Sequence, residues 1–241
     1  MRRNWINGLV AACLAGTVSG RDGETYHNDP TDRYERCQVE GFSVLVNPRM
    51  HEHPSEGARA MDELNRQLRN VVRVVPPGIL ERFRRVPIWV EWQETPGLGE
   101  FHPDGTELTR ERRNLAKVGA VEIVNARHLV EWAHAQPWAV LHELAHAYHF
   151  LVLGKDDPAV TQAYEAAMAS RRYDRVAYIL GGQKEAFARK NRYEYFAELS
   201  EAYFGKNDFE PADRRALARF DPGGYQLMAR VWGEPAGDPG P

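Results

Sequence analysis

At 241 residues, 43% hydrophobic and 27% charged, the chain has ordinary globular composition and enough length to bury one sizeable core. A formal net charge of −3 and a pI near 6.3 give no long-range attraction for nucleic acid or anionic lipid, so neither is expected as a partner. The chain has no internal repeat, Gly-rich phosphate loop or serine-nucleophile motif.

Met1-Arg2-Arg3, a short apolar run from Trp5 to Gly16 and small residues near Gly20 read as a signal peptide over residues 1–20. Val10-Ala11-Ala12-Cys13 also resembles a bacterial lipobox, in which Cys13 would be lipidated and retained. Either route implies export, to a secreted or extracytoplasmic location. No later segment is apolar enough to span a bilayer. A Cys13–Cys37 disulfide is open if Cys13 is neither removed nor lipidated. Residues 21–40, rich in Asp, Gly, Asn and Thr, are expected to form a flexible leader. A single domain over residues 41–232, a monomer, is expected to follow, with residues 233–241 as a disordered tail.

Within the domain, residues 42–46 alternate and are β-branched, predicting a strand. Residues 56–75 carry apolar side chains at helical spacing until Pro76-Pro77 stops them. Residues 87–92 and 120–125 predict two more strands. The stretch 97–119 lacks a clean period and reads as a loop on a cleft rim, with His102 a surface histidine. Pro137 at a first helical position and Gly154 just past the end bound a helix that is apolar on most sides. Asp157-Pro158 opens another, to about Arg172, and Asn191 and Gly205 bracket a third. Gly223-Gly224 is expected to be a turn, and the basic runs at 82–85 and 110–113 to be solvated faces. The order predicts an α/β (α+β) fold with a small mixed sheet.

The first of these three helices holds Leu141-His142-Glu143-Leu144-Ala145-His146-Ala147-Tyr148. Two imidazoles one turn apart can grip one Zn²⁺ ion, while the carboxylate between them, Glu143, points at a metal-bound water. His149 is read as packing, because a helix rises about 10 Å from His142 to His149, too far for one ion. A third ligand must come from elsewhere. The helix after Asn191 carries Glu194, Glu198 and Glu201 on one side, so Glu194 can bind zinc while Glu198 receives the free N–H of a ligating histidine. The same spacing also allows Glu194 to complete a capping box with Asn191 and the other two to form a solvated face. The interleaved Tyr195, Phe196, Leu199 and Tyr203 imply burial, where unpaired carboxylates are costly, and favour the zinc site.

His142-Glu143-Leu144-Ala145-His146 followed by Glu194-Tyr195-Phe196-Ala197-Glu198 resembles the zincin domain of the anthrax lethal factor and Pro-Pro endopeptidase type. The resemblance spans about residues 42–209, although only the two helices are specific. It implies a single zincin-like domain, a peptide or protein substrate, Glu194 as the third ligand and Glu198 behind it. In such folds the strand before the metal helix lies at the sheet edge, where a peptide adds as a further strand, so Val121, Ile123 and Asn125 are expected to bind substrate; an interior strand is the alternative. The family places a tyrosine hydroxyl near the oxyanion, seven residues before the third ligand, where this chain has Phe187. Phe cannot donate a hydrogen bond. Tyr173, Tyr178 or Tyr193 could stand in, catalysis could be weakened, or the chain could be a zinc-binding pseudoenzyme. The expected function is an exported zinc metallopeptidase with Glu143 as general base. Its rivals are a zincin-fold protein that holds a peptide without cleaving it and a hydrolase of non-peptide amides.

Overall fold

The β-branched run at 42–46 folds as expected into strand β2 (Phe42–Val46), and a polar strand β1 (Glu35–Val39) pairs with it antiparallel. Gly41, at a φ of 84°, makes the reversal between them possible. β1 overturns the expected leader in that stretch. Its composition is polar because only alternate residues, Cys37 and Val39, pack on the core. The computed structural model describes residues 26, 28–93, 95 and 97–237; the expected signal peptide, Cys13 and the last four residues lie outside these. Cys37 is a free, half-buried thiol.

Helix α1 (Pro54–Val74) crosses one face of the sheet on its buried stripe of Ala60, Leu64, Leu68 and Val71, and α2 (Pro77–Phe83) follows the Pro76 stop. The remaining strands are β3 (Ile88–Val90), β4 (Gly99–Phe101) and β5 (Val121–Ile123), with the short helix α3 (Thr106–Arg110) between the last two. The sheet order is β1-β2-β3-β5-β4: β2, β3 and β5 run parallel, and β1 and β4 close the edges antiparallel. β5 is therefore interior, not the expected edge. Val121, Ile123 and Asn125 are buried; the Asn125 side chain accepts from Arg127 N to cap helix α4 (Ala126–Glu131) and donates to Gln93 O. The stretch 97–119, read as a loop, supplies the true edge strand.

The second layer is helical. α5 (Ala139–Tyr148) runs into a π-helical turn at His149–Leu153 that ends on Gly154, at a φ of 93°. α6 (Pro158–Ala169), capped by Asp157, leads to a small hairpin of β6 (Val176–Ala177) and β7 (Gln183–Lys184). α7 (Arg192–Phe204) packs on α5 and is flanked by α8 (Arg214–Phe220) and α9 (Pro222–Trp232). Gly223 and Gly224 lie in the first turn of α9, not in a turn between elements. A Cβ on Gly224 would come within 2.5 Å of Leu199 Cδ2, so the missing side chain lets α9 approach α7. The start of the expected tail is tied down, because Ala236 N donates to Val74 O. The result is one α/β domain with a mixed five-stranded sheet, and no described helix is long and apolar enough to cross a membrane.

Period-two alternation divides the sheet faces. Ile88, Val90, Val121, Ile123, Gly99 and Phe101 share the face toward the helices, whereas Trp89, Glu122 and Glu100 share the other. On that second face Lys117 Nζ lies 2.7 Å from Glu91 and 2.9 Å from Glu122. Arg113 bonds Glu122 and Glu100, and His102 Nε2 lies 2.7 Å from Glu122 Oε2. Thus His102 is buried rather than at the surface, and Arg113 is not on a solvated face. Burial alone would raise the Glu122 pKa, but Lys117, Arg113 and His102 hold it well below the usual carboxylate range. Lys117→Met should cost about 3–5 kcal/mol by stranding Glu91 against Glu122, a loss visible as a lowered urea midpoint.

Candidate metal centre

Trp138 leads into α5, and its indole lies where a Cβ on Gly205 would stand, 2.0 Å from Cε2. Only glycine at the end of α7 allows that approach, which seats α5 against α7. Every residue of α5 is buried, consistent with its apolar surroundings on most sides. Asn191 caps α7 by accepting from Tyr193 N and Glu194 N, which leaves the Glu194 carboxylate free to turn inward.

His142 Nε2 and His146 Nε2 each lie 3.1 Å from the same atom, Glu194 Oε2. Ligand edges in a tetrahedral site with bonds of about 2.0–2.1 Å measure about 3.3–3.4 Å, so these three side chains could hold one metal ion with little adjustment. Burial would raise Glu194, yet His146 and His142 outweigh it and bring the carboxyl down to about 2. Burial opposes a charged His142, but Glu194 and Glu201 raise it well above the usual imidazole range. The lowered carboxyl and the raised imidazole are two sides of one contact, in which each group favours the other's charged form.

Glu143, beside His142, is buried, and its Oε2 has no hydrogen-bond partner. Burial is the main cause of its raised pKa, with Glu194 and Glu100 adding to it against the two histidines. A carboxyl raised in this way is a stronger proton acceptor than a solvated one. Edge strand β4 crosses directly over this side chain: a Cβ on Gly99 would stand 2.8 Å from Glu143 Cγ. Sequence reasoning missed β4 because three residues containing a glycine show no alternation.

Behind the cluster the expected partner changes. Glu201, not Glu198, meets His142 Nδ1, at 2.7 Å, and so receives its N–H when Nε2 serves as ligand. Glu198 accepts from Asn207 Nδ2 at 3.1 Å instead. Glu198, Glu201 and Asp208 form a buried acidic cluster in which burial, then Asp208 and Glu201, raise Glu198 well above its usual range. Burial and Glu201 bring Asp208 to about 7. His146 Nδ1 has no partner.

The other expected residues lie as follows. His149 is fully buried among Phe150, Tyr193 and Phe196 with neither ring nitrogen hydrogen-bonded; burial above all lowers its pKa to about 4, so it packs as a neutral ring. The Tyr193 hydroxyl accepts from Arg192 Nη2 at 3.0 Å, and the Tyr173 hydroxyl donates to Asp221 at 2.9 Å. Tyr178 is buried with its ring 4.8 Å from that of Phe209, in the segment bridged to the chain next to Asp208. Phe187 begins a 3₁₀ turn, Phe187–Arg189, that leads to Lys190 and α7. A second group able to hold a metal, Glu100, His102 and Glu122, already has Arg113 and Lys117 as its cations. Comparison of the chain with family models, with curated proteins and with solved structures finds no match.

Proposed function

We propose that this is an exported zinc-dependent peptidase in which His142, His146 and Glu194 hold the metal and Glu143 is the general base. The convergence of both histidine Nε2 atoms on Glu194 Oε2, with Glu143 alongside, is the observation that carries this reading. Bound there, zinc would polarise the scissile carbonyl and acidify a water. Glu143 takes the water proton as its oxygen attacks the carbonyl carbon and then passes that proton to the departing amide nitrogen. Glu201 orients His142 through Nδ1. An extended substrate chain adds along edge strand β4, where backbone hydrogen bonds hold it over Glu143. Export is supported by the amino-terminal sequence alone.

The test is cleavage of a diverse peptide library with and without a chelator. Chelator-sensitive cleavage is expected; a zinc-loaded protein that leaves the whole library intact would select a binding role, which Phe187 favours. Gly99→Ala should keep zinc but lower turnover by about 10²-fold, because the new Cβ displaces Glu143 from its working position. Unchanged initial rates would remove β4 from the site.

A further inference from the structure

Amide hydrolysis builds negative charge on the carbonyl oxygen in a site that already holds two carboxylates, Glu143 and Glu194. Lys190 is placed to answer that charge. It follows the turn Phe187–Arg189 and precedes α7, and its Nζ stands 3.7 Å from Glu194 Oε1. That oxygen is buried, and at 3.7 Å the ammonium faces it as an ion pair. Nζ also lies 5.1 Å from the centre of the Phe187 ring, whose face attracts a cation and limits where the side chain points. The side chain is 26% exposed and lies within electrostatic reach of Glu143 as well as Glu194. An ammonium paired with Glu194 and within the field of Glu143, with three N–H groups to offer, is suited to receive a developing oxyanion.

We propose that Lys190 is the oxyanion donor of this site, an assignment that rests on the peptidase reading. As the water oxygen bonds to the carbonyl carbon, the C=O π pair moves onto oxygen and a Lys190 N–H donates to it, while the water proton goes to Glu143. When the C–N bond breaks, that electron pair returns to carbon–oxygen bonding, the nitrogen takes the proton from Glu143, and Lys190 remains protonated throughout. The water's second proton stays on the new hydroxyl until the carboxyl group gives it up through Glu143 to the amine, so the products are a peptide ending in a carboxylate and one beginning with an ammonium.

The test uses a library peptide that the wild type cleaves and its analogue with a phosphinate in place of the cleaved bond, a tetrahedral anion. Lys190→Met should weaken phosphinate binding, read by calorimetry, by about 10²- to 10³-fold and lower kcat to match. KM and zinc content should stay at the wild-type level. Lys190→Arg should recover most of the phosphinate affinity. If Lys190→Met binds phosphinate like the wild type, or if it loses zinc in step with affinity, the assignment falls while the peptidase reading stands. A Tyr178→Phe variant that loses phosphinate affinity while Lys190→Met keeps it moves the donor to Tyr178. A wild type that cleaves no library peptide overturns the peptidase reading and this assignment together.

Discussion

Glu143→Gln should retain zinc at the wild-type level while peptide hydrolysis falls by about 10²-fold or more, the usual contribution of a positioned general base. The substitution keeps the volume of a fully enclosed side chain and leaves the three converging ligand atoms in place. What it removes is the ability to accept a proton at Oε2, a buried oxygen with no hydrogen-bond partner of its own. Elemental analysis together with initial rates on a cleaved peptide checks both halves of the expectation. Full zinc with unchanged turnover would move the base elsewhere. Loss of zinc would mean that the carboxylate supports the histidines rather than the water.

The elements that carry His142, His146 and Glu194 were legible because their signals are local. Asn191 and Gly205 bracket α7 in the structure as in the sequence, and the four-residue spacing of His142 and His146 places both Nε2 atoms on one carboxylate. Sheet order is not local information. β5 reads as a plausible edge until β4 pairs with its other side, and β4 is three residues long with a glycine at its start. Arg113 and His102 look solvated in sequence because their partners, Glu100 and Glu122, lie on strands that come together only in the folded sheet. Phe187 advertises a missing hydroxyl, whereas the cation three residues later gives no sequence signal until the turn carries it over that ring.

Glu194→Ala should remove stoichiometric zinc, and Glu201→Ala should weaken it by about 10- to 100-fold, the usual cost of losing a group that orients a ligand. Glu198→Ala should cost less than either. The three carboxylates lie along one stripe of α7, and spacing alone cannot say which of them reaches His142, since that depends on how α5 crosses. In the folded chain the imidazole is spanned: Nε2 faces Glu194 at 3.1 Å and Nδ1 faces Glu201 at 2.7 Å, the two glutamates standing seven positions, or about 10 Å of helix, apart. Glu201 thereby fixes the tautomer that presents Nε2 to a metal, whereas Glu198 is held by Asn207. Competition against a chelator of known affinity ranks the three variants. Thermal unfolding should follow the same order, because a metal bound only to the native state stabilises it by mass action. A larger loss for Glu198→Ala than for Glu201→Ala would return the orienting role to Glu198 and imply that α7 turns on its axis when the metal binds.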